Sequence, residues 1–171
     1  MDFRLLGPLE VSEQGRSIPL GGLKQRSLLA VLLLHANEAV SVDRIQAALW
    51  GEEPPPTAAK SVQVHVSRLR KDLGAQRVVT RPPGYALLVE PGELDVGRFE
   101  ELVGAARTAG PDAASAALRE ALGLFRGEPL ADLAYEPFAR PHIARLDERR
   151  LVAVEMRIAA DLATGRHAEL V

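Results

Sequence analysis

The 171-residue chain contains no cysteine, which excludes a disulfide framework, a thiolate nucleophile and any cysteine-held zinc site. Histidine is scarce too, and the four present lack the spacing of metal ligands. Aromatic residues make up 4% of the chain. No run reaches the roughly 18 apolar residues that a membrane helix needs, and the start "MDFRLLGPLEV" is neither a basic nor an apolar leader. Net charge is nearly absent as well, at −2. These absences point to a cytoplasmic protein with no membrane, no metal and no cofactor. Enzyme chemistry finds no support, because no paired carboxylates and no Ser/His/Asp arrangement stand out. Asp147 and Glu148 in "RLDERR" read as an ion-paired helix face. "GGLKQRS" lacks the G-x-x-x-x-G-K-[ST] spacing of a nucleotide loop.

What is present is an uneven distribution of charge. Between residues 57 and 85, Lys60, Arg68, Arg70, Lys71, Arg77 and Arg81 face a single acid, Asp72. A concentrated positive field of this kind suits a polyanion.

The first 20 residues alternate in short extended runs around the turn "EQG", predicting a small antiparallel sheet. "KQRSLLAVLLLHA" (24–36) is apolar nearly all round and predicts a buried helix broken by "NE". Ser41 is placed to cap a second helix running to Trp50, with Val42, Ile45 and Leu49 on one face and Gly51 as its stop. "EEPPPT" interrupts the chain. Thr57 then caps a third helix, 58–73, and "RVVTR", "PPG" and "YALLVE" form a hairpin. Helix, turn, helix and hairpin make a winged helix-turn-helix.

At about 100° per residue, Val62, Val66, Leu69 and Leu73 form the core face of the third helix. The opposite face carries Lys60, Gln63, Val64, Ser67, Arg68 and Lys71. Val64 is apolar on the outward side, where a thymine methyl would suit it, and Arg68 has the fork for a guanine edge. Ser61, His65 and Arg70 lie on the flanks, where phosphates would line a groove, and Arg81 stands before the hairpin tip, placed for a minor groove or the backbone. Against this stands a plainer reading, in which the basic face is simply solvated. A lone His65 is more often a packing or surface residue than a contact, and Trp50 reads as core filling, the commoner fate of a lone tryptophan, or as an indole donor to phosphate.

"PGELD" (91–95) marks a boundary, and the remainder is helical. Phe99, Leu102, Val103 and Ala106 share one spacing; Leu118, Ala121, Leu122 and Phe125 share another, after "GPD". A long last helix over 140–164 is predicted to pack through Ile143, Leu146, Leu151, Val154, Ile158 and Leu162. "AELV" opens a further helix, so the last layer reads as incomplete, cut short or completed by a partner.

"ALWG", "AAKSVQVHVSRLRKDLG" and "RPPGYAL" closely resemble the OmpR-type winged helix of the Streptomyces antibiotic regulatory proteins, as do "LLGPLEV" and "KQRSLLAVLLLHAN". "LDVGRFEELVGAAR", "ALREALGLFRGEPLADL" and "RLDERRLVAVEMRIAADLATGRHAELV" resemble the bacterial transcriptional activation domain that follows it. The resemblance implies an α+β winged helix-turn-helix domain over 1–92 and an all-α tetratricopeptide-like domain over 93–171. It also implies a nucleoid-associated activator whose protomers sit side by side, as a homodimer, on direct repeats of double-stranded DNA and engage RNA polymerase holoenzyme. By position, Val64 and Arg68 match base-contacting places, and Gln63 and Ser67 occupy variable positions on the same face. Trp50, Lys60, Ser61, His65 and Arg70 match backbone contacts, joined by Lys71, and Arg81 matches the wing arginine. The alternative is a protein-interaction module of a larger regulator, with the helical half as the working part.

Overall fold

The computed structural model describes residues 1–165; the helix expected at "AELV" lies outside them. Strands β1 (Asp2–Arg4), β2 (Glu10–Glu13) and β3 (Arg16–Ser17) form the expected antiparallel sheet, with Phe3 opposite Val11. Gln14 and Gly15 turn between β2 and β3 with φ of 50° and 77°. Helix α1 (Leu23–Leu34) buries every residue from Ser27 to Leu33, as its unbroken apolar run requires. Asn37 ends the excursion at φ 69°, and its side-chain amide exchanges hydrogen bonds with the backbone of Val89.

Ser41 caps α2 (Val42–Trp50) by accepting from the Arg44 N–H at 3.2 Å, and Gly51 stops it at φ 71°. Ile45 and Leu49 are buried; Val42, expected on the same face, is half-buried. One further element has no signal in the sequence pattern. Val40–Ser41 form a strand, β4, that pairs antiparallel with β6 (Gly84–Leu87), which in turn pairs with β5 (Val78–Arg81). Any Cβ at residue 84 would lie 1.9 Å from the Val40 carbonyl oxygen, so glycine is required there. Helix α3 (Ala58–Leu73) differs from expectation at its start. Thr57 makes no side-chain cap; it satisfies the first turn through its carbonyl, which accepts from Ser61 N–H at 2.9 Å.

Helices α4 (Asp95–Ala106), α5 (Pro111–Gly123) and α6 (Arg140–Ala163) follow, with a 3-10 turn at Ala131–Leu133. Phe125 falls beyond the end of α5, yet its ring meets Phe99 edge to face at 5.3 Å. Helix α6 packs as expected at its start, through Ile143 and Leu146, but its later turns bury a different side. Leu146, Ala153 and Ala160 are buried, whereas Leu151, Ile158 and Leu162 are 60%, 38% and 48% exposed. Residues seven apart return to nearly the same side of a helix, and alanine there lets α5 approach through Ala114, Ser115, Leu118 and Ala121.

The segment around residues 91–95 is no loose linker. Phe3 N–H donates to the Glu93 carbonyl at 2.7 Å, and the buried Asp95 carboxylate accepts from Leu5 and Leu6 N–H, each at 2.9 Å. Burial pushes the Asp95 carboxyl up, against the pull of those backbone donors. Arg126 and Leu130 N–H return bonds to Leu6 and Leu5 at 2.8 and 2.9 Å. Leu6 belongs to the helical core, while Leu130, Leu133 and Ala139 belong to the core around α1.

Candidate nucleic-acid interface

Val62, Val66, Leu69 and Leu73 are all buried, which anchors α3 and fixes the direction of its other face. That face leaves Lys60, Gln63, Val64, Ser67, Arg68 and Lys71 exposed. Val64 is 44% exposed, an apolar spot ringed by donors. Lys60, Arg68 and Lys71 form no hydrogen bond or ion pair among the described residues. The segment's acid, Asp72, accepts from the Gln25 amide at 3.0 Å. A shallow concavity of about 300 Å³ is lined by Thr57, Lys60, Ser61, Val64, His65 and Arg68, wide and open enough to admit a polar group.

His65 is half-buried, its Nδ1 shut away from solvent without a partner. Burial lowers its pKa, and the neighbouring Arg68 and Lys24 cations lower it further. An uncharged ring with its other nitrogen toward the outside can still present one donor or acceptor there. Trp50 packs part of its indole against the core and leaves part accessible. Lys24 was not among the expected residues; its ammonium lies 5.9 Å from the centre of the indole and donates to the Leu49 carbonyl. No sequence signal brings it there, since the pairing arises only when α1 crosses the end of α2.

Two of the expected contacts are engaged within the protein. Arg70 turns to the hairpin, its Nε donating to the Val78 carbonyl at 2.7 Å and Nη2 to the Thr80 hydroxyl at 2.9 Å. Arg81 is exposed beside the Pro82–Pro83 tip, and its Nη1 donates to the Asn37 carbonyl at 2.9 Å. The base of the hairpin is held separately by Arg77, paired with Glu93 at 2.6 Å. Burial alone would raise the Glu93 carboxyl, but hydrogen bonds from Arg77, the Glu90 N–H and the Met1 amine outweigh it and hold it at about 2.

Among the described residues, no cluster of three or more histidines and carboxylates could hold a metal, and no helix is long and apolar enough to cross a membrane.

Residues 15–87 match the family described as "Transcriptional regulatory protein, C terminal", and residues 94–171 match "Bacterial transcriptional activator domain". Regulatory protein DnrI of Streptomyces peucetius is 34% identical over 99% of this chain and 68% of its own length. The chain belongs to the Streptomyces antibiotic regulatory protein family. Regulatory protein AfsR of Streptomyces coelicolor is 40% identical over 99% of this chain and 17% of AfsR. Transcriptional regulatory protein EmbR of Mycobacterium tuberculosis is 38% identical over 97% of the chain, which spans less than half (45%) of EmbR. A solved structure of EmbR in complex with a low-affinity phosphopeptide superposes with a TM-score of 0.93 at 37% identity, covering 99% of this chain and 47% of that one. The winged helix and the helical half thus recur together in the EmbR structure, in the arrangement described above.

Proposed function

We propose that the chain is a sequence-specific DNA-binding transcriptional activator. Helix α3 enters the major groove, the β5–β6 wing meets the adjacent minor groove or backbone, and the site is a promoter direct repeat occupied by side-by-side protomers. The helical half, beginning near residue 93, serves recruitment of RNA polymerase holoenzyme. The regulated genes form a secondary-metabolite or other pathway-specific cluster, and the protein works in the cytoplasm on the nucleoid. The observation that carries this reading is the outward face of α3, where Val64 stands 44% exposed among uncommitted donors beside a hairpin. Family membership supports it.

Selection from a DNA library at two salt concentrations tests the reading. A direct repeat spaced by about one helical turn, roughly 10 to 11 base pairs, is the expected product. Affinity should fall steeply with salt as counterions are released; sequence-blind or salt-insensitive binding would reject the assignment. On the selected site Arg68→Ala should cost about 1 to 3 kcal/mol while sparing non-specific binding. Lys71→Ala should weaken binding on all DNA and reduce the salt slope by about 1.

A second reading draws on α6, whose exposed Leu151, Ile158 and Leu162 suit a protein-interaction module of a larger regulator. In that case the helical half is the working part, and DNA binding with a steep salt dependence would be missing.

A further inference from the structure

We propose that Arg70 is a positioning residue for DNA reading, a clamp that sets the wing at a fixed angle to the recognition helix, and not a phosphate contact. The inference rests on the DNA-reading assignment above. Arg70 lies in the last turn of α3. Its guanidinium reaches the first strand of the wing at two points, the Val78 carbonyl at 2.7 Å and the Thr80 hydroxyl at 2.9 Å. It also lies 5.9 Å from the ring centre of Tyr85, the cross-strand partner of Thr80. A single side chain therefore touches the helix's end and both strands of the hairpin.

The chain between helix and wing does not supply this constraint by itself. Gly74 leaves α3 at φ 100°, and the turn to Arg77 is closed by one backbone bond of 3.1 Å. Arg77 and Glu93 secure the hairpin at its base. Near the tip β4 holds β6 through the pairs Val40–Tyr85 and Ser41–Gly84, but β5 is the opposite edge of that sheet; the Arg70 bond to Thr80, one residue before Arg81, is what ties this edge to the recognition helix at that level. Contacts in two grooves add fully only if helix and wing are already placed to meet both, since ordering them on the DNA would consume affinity. The planar fork of arginine makes both bonds at once; a lysine ammonium at the same place keeps the charge but not the fork. Lys60, Arg68 and Lys71 show the contrasting state, exposed and without an internal partner among the described residues.

The test compares the full chain with Arg70→Lys and Arg70→Gln, each with and without Arg81→Ala, by affinity for the selected DNA across a salt series. Both Arg70 variants should weaken specific binding by about tenfold, consistent with losing hydrogen bonds from a charged donor, and both should retain the wild-type salt slope. Arg81→Ala should weaken the wild type but add little in an Arg70→Lys background, because the wing is no longer held in place. The inference is overturned if Arg70→Lys binds as the wild type does while Arg70→Gln loses affinity and about one unit of slope, the behaviour of a phosphate contact. Thr80→Val, which removes only an exposed acceptor, guards against loss of fold in the Arg70 variants. It should weaken binding by about two- to threefold with an unchanged slope, and wild-type affinity would count against the clamp. A wild-type chain with no sequence preference would instead defeat the DNA-reading assignment itself, and the clamp with it.

Discussion

Helices α3 and α6 bury themselves by different means. In α3 the buried residues after Ala58 at its start are branched and large, Val62, Val66, Leu69 and Leu73, and the helix fits its neighbours by filling space. In α6 the buried line is Leu146, Ala153 and Ala160, joined by Asp161, and the helix fits by coming close. Asp161 accepts from the Ser115 hydroxyl and from Arg119 at 3.4 Å, so part of the α5–α6 contact is polar. Those donors hold its carboxyl below the usual range against the opposing effect of burial. The difference explains why large apolar side chains mark the inside of α3 but, beyond Leu146, include exposed ones in α6. Where backbones are close, the bulky residues have no room between them and are turned away.

Three substitutions sharpen or break this comparison. Leu69→Ala opens a cavity at a fully buried position of α3 and should cost about 2 to 5 kcal/mol in denaturant unfolding. A loss below about 1 kcal/mol would mean that α3 is not held by space filling. Ala153→Leu places bulk in the close seam of α6 and should destabilise by about 1 to 3 kcal/mol; an increase in stability would show that the seam has spare volume. Ile158→Ser alters a large apolar residue on the exposed side of α6, and stability should stay within about 0.5 kcal/mol. A larger loss in the same unfolding measurement would place Ile158 in a packed interface and restore the face expected from spacing.

The α3 reading succeeded because a single stripe of large residues faced the core and a single stripe of cations faced out, so spacing and burial agreed. In α6 spacing identifies Ile143 and Leu146 but misleads in the later turns, because Ala153 and Ala160 are too small to mark a core face in a hydrophobicity pattern. Strand β4 was missed for a different reason: Val40 and Ser41 are too few to show alternation, and they become a strand only when Gly84 lets β6 approach. The positive charge of the candidate site was visible along the chain, but its internal commitments were not. Arg70 and Arg81 meet the backbone of other segments, Val78 and Asn37, and no local pattern announces such a bond. Thr57 likewise has a capping side chain, yet the turn was completed by its carbonyl.

The carboxylate of Asp95 and the side chain of Leu6 carry one more consequence. The first strand's exit is gripped by the opening turn of α4, and Leu6 sits inside the helical core while Leu130 and Leu133 sit inside the core around α1. The chain is built as a bracket and not as two beads on a string. Neither core closes without residues that the other half of the chain supplies, so a cut near residue 93 would open both.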